Sequence, residues 1–238
     1  MKHLIIAFLF MVFGSKVFAQ PLQVQFSMQS GLSVPLFDFA ATNLQKGSFT
    51  LPGFTGSAEA KSVLKNKWSG FIQSGIQLNP LAVGLLGYEK VAADPSLEDL
   101  YIRSDPFKVI HLLAGPGYQT RICNLFLLEG QVGAGVFFSS TPYQLYKSKF
   151  VLPGPDHFEI TPSKDVSFAY SAGIRFSYEV TPCYQIGISS QLMHSEAAFG
   201  FTTGLGRRVD YRNITIWNTS LSLTLKLFTT SGKVQHQN

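Results

Sequence analysis

Side chains of alternating character recur with period two along most of this chain, and that pattern restricts its fold more than any other feature. From Val166 to Val180, Phe168, Tyr170, Ala172, Ile174, Phe176, Tyr178 and Val180 fall on one parity. Ser167, Ala169, Ser171, Gly173, Arg175, Ser177 and Glu179 fall on the other. A β-strand sends these two sets to opposite faces, one greasy and one small or polar. The same alternation runs through Leu22–Gly31, Gly70–Leu78, Phe126–Val136, Tyr184–Leu192 and Trp217–Leu227. Leu81–Lys90 and Phe107–Thr120 alternate less cleanly and are read as two further strands, which makes eight. After the first twenty residues, no stretch reaches the 18 or so consecutive apolar residues of a helical span.

The connections between these strands come in two kinds. Asn79-Pro80, Arg121–Asn124 and Thr181–Cys183 are short and rich in turn-forming residues. Pro35–Lys67, Ala92–Pro106, Ser139–Asp165 and Ser195–Tyr211 are long. Short turns at one end and long loops at the other describe an up-and-down meander, the asymmetry of a transmembrane barrel. A soluble barrel would bury the apolar parity and a membrane barrel would expose it. Eight strands enclose only enough room for modest side chains. The large set would overfill that interior, whereas Gly133, Gly135, Gly173, Gly187, Ser189, Ser220 and Ser222 fit it. The charged fraction, 14% against roughly 25% in ordinary soluble domains, agrees with a surface that faces lipid. The expected fold is therefore all-β: an eight-stranded antiparallel transmembrane barrel with short periplasmic turns and long external loops.

Residues 1–19 have a basic start at Lys2, an apolar run from Leu4 to Phe13 and the ending Val17-Phe18-Ala19 before Gln20, the pattern of a secretory signal cleaved between Ala19 and Gln20. Its run of ten residues is short of the roughly 20 needed to cross a bilayer. Loss of Lys2 and Lys16 with it takes the formal charge from +5 to +3, too mild to imply a nucleic-acid partner. The barrel is expected over 20–228 and a periplasmic tail over 229–238. Aromatics gather where strands end, as in an interfacial girdle. Trp68, Phe137, Phe138, Phe168, Tyr170 and Trp217 are read at the loop end, and Tyr118, Phe126, Tyr178 and Tyr184 at the turn end.

The chain resembles the small outer-membrane β-barrel proteins of Gram-negative bacteria, in particular the porin-like family of the Bacteroidetes that includes the PorT-type proteins. The resemblance rests on the signal ending Phe-Ala-Gln, the glycine-containing alternating strands, the Asn79-Pro80 and Thr181-Pro182 turns and the final Ser220–Phe228 strand. These are architectural signatures, and they imply a place in the cell envelope and a role accessory to a secretion assembly. One departure is that Phe228 is followed by ten more residues, where such barrels often end on an aromatic.

Charges on the inward parity stand out, because a buried charge is costly unless paired. Glu129, Arg175, Glu179 and Lys226 are expected in the lumen, with Glu129 opposite Arg175 across two neighbouring strands. Cys123 and Cys183 fall in two short turns. Turns two strand spacings apart are separated by roughly 9–10 Å, and a disulfide wants Cα atoms within about 7 Å. A disulfide between turns that lean together and a pair of free thiols both fit. His194, Ser195 and Glu196 form no triad, since a strand puts Ser195 on the face opposite the other two. Gly115-Pro116-Gly117 reads as a bend or bulge. Lys46, Lys61, Lys65 and Lys67 make the first loop basic, and Arg207, Arg208 and Arg212 the fourth. The prolines and aromatics of the third loop, Tyr143, Tyr146 and Phe158 among them, point to partial order.

No catalytic residue, metal site or cofactor is expected. The expected role is an envelope-structural or partner-binding one, with lipid and lipopolysaccharide around the barrel and a protein partner at the external loops. The alternatives are a narrow porin-like channel, a lipid-A-modifying barrel enzyme and a soluble lipid-binding barrel.

Overall fold

The computed structural model describes residues 23–45, 47–64, 67–95, 100–122, 125–148, 157–203 and 206–228. The signal segment with Ala19 and Gln20, Cys123 and the 229–238 tail lie outside the described residues. Eight long strands form a closed antiparallel ring. They are β1 (Gln23–Leu36), β2 (Gly53–Val63), β3 (Trp68–Asn79), β5 (Phe107–Arg121), β6 (Phe126–Ser140), β9 (Lys164–Glu179), β10 (Tyr184–Thr203) and β11 (Gly206–Phe228). Each pairs with its neighbour in the ring, and β1 closes it against β11 with Gln23 opposite Phe228. Both ends of the described chain therefore lie at the turn end.

The number of strands agrees with the alternation, but one assignment does not. Leu81–Lys90 is no barrel strand; from Val83 on it belongs to helix α1 (Val83–Ala93). Ala82, Leu86 and Lys90 follow the four-residue spacing of a helix face, and Ala82 and Leu86 are buried. The missing barrel strand is β2, inside the segment read as the first long loop. Its outward parity carries Phe54 and then only Gly56, Ala58, Ala60 and Ser62, so it lacks the apolar alternation that marks the other strands. The insertion reverses the direction of the chain before Trp68. Leu64 donates to the Trp68 carbonyl at 2.8 Å where β2 gives way to β3, and Asn79-Pro80 opens a long connection instead of closing one.

The loop end carries a structured cap. It comprises a 3-10 turn at Phe37–Phe39, α1, and a small sheet of β4 (Leu100–Ser104), β7 (Gln144–Ser148) and β8 (His157–Ile160) in the order β4-β7-β8. Backbone bonds tie the pieces together: Leu51 donates to the Pro80 carbonyl at 2.8 Å, Ala82 to Phe49 at 2.8 Å and Asp105 to Tyr143 at 3.0 Å. Tyr146 and Phe158 stack with their centroids 4.4 Å apart, so the described parts of the third loop pack through the aromatics that implied partial order. Most of the segment read as a fourth loop, Ser195–Tyr211, continues β10 and β11 as a hairpin, paired from Ser195↔Ile214 to Thr203↔Gly206.

The cap sits on an apolar core in the barrel mouth. Inward residues Val109, Leu113, Phe137, Met193, Phe199, Ile214 and Ile216 are buried together with Phe39, Phe49, Leu86 and Tyr146 from the cap. Phe137, expected in the lipid-facing girdle, points inward here and is fully buried. Its parity on β6 is that of Glu129 and Gln131.

Gly115-Pro116-Gly117 contains no bulge. The β5–β6 register is the same on both sides of Pro116, from Ala114↔Ala134 to Gly117↔Gln131, so no residue is inserted. The chains approach closely, and a β-carbon at Gly115 would lie 2.0 Å from the Val132 carbonyl oxygen. Gly115→Ala is expected to force the ladder apart and cost about 1–3 kcal/mol, lowering the heat-unfolding temperature by roughly 2–10 °C. Gly70→Ala, where nothing lies within 4 Å, is expected to be neutral. Gel-shift melting of the folded barrel compares the two; equal melting would contradict the tight approach.

Candidate functional site

The outer face of the ring is a continuous apolar belt. Phe26, Met28, Ile72, Ile110, Leu128, Val132, Phe168, Ile174, Ile188, Leu221 and Leu223 all project outward and are exposed. Water would not tolerate so large a patch on an isolated protein, but lipid chains would. Aromatics rim the belt. At the turn end Trp68 meets Tyr118 edge to face at 5.4 Å, the two residues being direct partners of β3 and β5. Trp68 was expected at the loop end, and the unseen strand β2 accounts for that reversal. Tyr178 and Tyr184 also lie at the turn end, Tyr178 against Phe126 at 5.3 Å. Trp217 lies toward the loop end and donates its indole N–H to Ser190 Oγ at 2.7 Å.

Inside, the middle of the barrel is polar and charged. Arg175 is opposite Glu129 in the β6–β9 register, yet its main partner comes from across the lumen. Its two terminal nitrogens donate to the two carboxylate oxygens of Glu59 at 2.9 and 2.7 Å, and Glu129 lies 3.7 Å away. Glu129 accepts from Lys61 at 2.5 Å, and Lys61 also reaches Glu59 at 3.3 Å. Two carboxylates and two cations thus form a neutral, buried quartet. A bidentate guanidinium–carboxylate pair is the strongest geometry available to such groups. Glu59 and Lys61 are two apart on β2, so both point inward. Lys61 is therefore a lumen residue and not part of a basic loop. The i, i+2 spacing of opposite charges inside Thr55–Val63 was the available signal, hidden because that stretch lacks apolar alternation.

Glu179 and Lys226 do not join this quartet. They form a second group at the turn-end mouth, where Lys226 donates to Glu179 at 2.5 Å and the exposed Arg121 reaches the same carboxylate at 3.2 Å. Polar side chains fill the remaining interior. Gln191 donates to Gln73 at 3.0 Å, Ser189 to Gln29 at 3.0 Å, and Ser27 and Thr224 share a bond of 2.7 Å. Above them the apolar core begins, with His111 fully buried beside Phe137.

Cys183 is exposed in the 180–183 turn with a free thiol, and Cys123, the other half of the disulfide reading, lies outside the described residues. His194 lies on the outer face, where its Nδ1 meets Thr215 Oγ1 at 2.7 Å. Ser195 points inward and donates to Ser167 at 2.7 Å, and the two do not converge. Among the described residues no group of three or more His, Cys, Asp or Glu could hold a metal ion.

The closed ring, the outward belt and the filled interior define an integral membrane barrel of the bacterial outer-membrane type. No family model and no curated protein matches the sequence, but solved structures match the shape. The chain is similar to a major outer membrane protein from Thermus thermophilus, with a TM-score of 0.51, 10% identity and coverage of 86% of this chain and 99% of that one. It also matches Neisserial surface protein A, with a TM-score of 0.48, 15% identity and coverage of 87% and 97%. A third match is OprG from Pseudomonas aeruginosa, with a TM-score of 0.45, 12% identity and coverage of 88% and 97%. At 10% identity the likeness to the Thermus protein speaks for the fold.

Two tests follow from this geometry. Trp68 and Trp217 are the two tryptophans of the chain and lie at opposite rims. In single-tryptophan variants, each is expected to be quenched more by lipids brominated near the headgroup than by lipids brominated at the bilayer centre. Stronger central quenching of either would misplace the belt. Arg175→Met leaves Glu59 buried without its bidentate partner and is expected to cost about 3–5 kcal/mol. Adding Glu59→Gln restores charge balance and should recover most of that loss in urea unfolding of the barrel in vesicles. A double variant as unstable as the single one would mean that the quartet is not a coupled unit.

Proposed function

We propose that this chain is a non-enzymatic integral protein of the bacterial outer membrane. It acts through its loop-end cap as an envelope-structural or partner-binding element. The observation that carries this reading is the two-level filling of the barrel: the neutral quartet with its glutamine and serine layers occupies the middle, and the apolar core of the cap occupies the mouth. Filling at both levels is what weighs against a passage for solutes. Enzyme chemistry is disfavoured by the divergence of His194 from Ser195.

With the short turns periplasmic, as in other barrels of this kind, the cap faces outward. It offers the aromatic side chains of Phe37, Tyr88 and Tyr211, all strongly exposed, and the cationic hairpin residues Arg207 and Arg208. Arg208 already pairs with Asp210 at 2.7 Å, while lipopolysaccharide phosphates would suit the basic rim. The resemblance to PorT-type proteins supports a finer version, in which the partner belongs to a secretion assembly.

The test is made with the full-length protein. Reconstituted in planar bilayers, it is expected to show no unitary conductance; stepwise openings would favour the channel reading. In its own envelope, proximity labelling from the cap is expected to mark a defined protein partner. That labelling should fall at least several-fold in the Arg207→Ser, Tyr211→Ser double variant, which leaves the barrel intact. Labelling unchanged by the double variant would move the contact away from the hairpin.

A further inference from the structure

Between the cap and the barrel mouth lies a cavity of about 400 Å3. Its wall includes Phe49 from the first loop, Leu86 and Lys90 from α1, Tyr146 from β7, and Phe199 and Phe201 from the hairpin. The aromatic packing behind it is firm, with Phe107 edge to face against Phe199 at 5.8 Å and against Phe39 at 5.0 Å. Phe49 is held at φ 54°, a conformation that costs a non-glycine residue and is found preferentially at ligand-holding sites.

Lys90 is the unusual member. It is half-buried, and its ammonium lies 4.4 Å from the centroid of the Tyr146 ring and 5.9 Å from that of Phe158. No carboxylate forms an ion pair with it among the described residues. Burial pushes its pKa below the usual lysine value, the sign of a cation whose lost hydration is not replaced. The other charges on the wall are already engaged. Arg212 donates to the Gly47 carbonyl at 2.8 Å and lies 3.8 Å from Asp210, and Asp210 accepts from Arg208. The cavity therefore combines an apolar body with one positive charge that no described carboxylate pairs.

We propose that this cavity is a binding site for a small apolar monocarboxylate. Its anion would sit on Lys90 and its hydrocarbon body against Phe49, Leu86, Phe199 and Phe201. The volume lies at the lower end of the range for small-molecule sites, roughly 300–1,000 Å3. A neutral hydrocarbon would leave the ammonium without a counter-charge, and a cation would meet Lys90 directly. A polyanion calls for several cations, and Lys90 is the one on this wall that pairs with no carboxylate among the described residues. The inference goes beyond the partner-binding reading and does not rest on it, because a buried ligand site and an exposed contact surface use different residues of the cap.

The test is isothermal titration of the full chain in lipid nanodiscs with phenylbutyrate and with its neutral counterpart phenylbutanol, the heats of empty nanodiscs being subtracted. The expected result is saturable binding with one site per chain, the acid about ten-fold tighter than the alcohol or better, as a charge-assisted bond supplies. Lys90→Met keeps the length and apolar stem of the side chain. It should bind the alcohol as before and lose the preference for the acid. Ser48→Trp, which fills the cavity from the first loop, should abolish both. Absence of saturable binding, equal affinity for acid and alcohol, or an acid preference that survives in Lys90→Met would each overturn the proposal.

Discussion

Closure of the hydrogen-bonded ring governs the rest of this molecule. Within a bilayer there is no water to satisfy an unpaired backbone amide or carbonyl, so a sheet that spans it cannot have an edge. The pairing of β1 with β11 over Gln23–Leu36 removes the last two edges. Once the ring is closed, the period-two pleat leaves only two environments for side chains. The outward set must suit lipid, and is apolar with aromatic rims. The inward set must fill a tube too narrow to stay hydrated throughout, and each charge placed there needs a partner within it.

The interior solves that filling problem in two ways along its length. In the middle, glutamines and serines interlock through hydrogen bonds around the quartet. Toward the loop end, the same inward parity turns apolar on β5, β10 and β11, where Val109, Leu113, Met193, Phe199, Ile214 and Ile216 are buried. The change of character matches what each region faces. Polar layers can bond one another directly, as Gln191 does with Gln73, whereas the apolar mouth would be exposed to water if the cap did not cover it. Phe39, Phe49, Leu86 and Tyr146 provide that cover. The cap is thus joined to the barrel by a hydrophobic core, as the two halves of a globular domain are.

Much of this was legible in the residues. The alternation in Val166–Val180 and Phe126–Val136 reads directly as strands with a lipid face, because lipid imposes the same demand on every outward position. The opposition of Glu129 and Arg175 follows from antiparallel pairing of their two strands about the middle of the loop that joins them. What the pattern hides is β2, whose outward side chains past Phe54 are small, so its apolar face is weak although its inward Glu59 and Lys61 hold the quartet together. The apolar run that leads into α1 mimics a strand, since Leu81, Val83 and Leu85 share one parity over so short a stretch. The apolar mouth was obscured for a different reason. There both faces of a strand are greasy, as at Ile214 and Ile216 beside Trp217, and alternation fades where burial is two-sided. The hint was Leu113 sharing a face with His111.

The quartet also bears on why a barrel would keep four charges where apolar side chains could pack. Buried ion pairs add little net stability compared with well-packed hydrophobic residues, but they are intolerant of mispairing. Arg175 on β9 and Glu59 on β2 lie on opposite sides of the ring, with β6, β5 and β3 between them on one path around it. Their two-point contact, together with Lys61 reaching Glu129 on β6, cross-links strands that share no backbone hydrogen bonds. A slip of two residues in any of the intervening ladders would keep every side chain on its proper face and would be nearly invisible to the lipid. The same slip would carry a carboxylate or guanidinium about two strand positions, roughly 7 Å, away from its partner in a dry interior. Alternation alone fixes which face each residue takes; the charges crossing the lumen select among the registers that alternation leaves equivalent. A closed ring needs that selection more than an open sheet, because an error in one ladder must be absorbed by all the others.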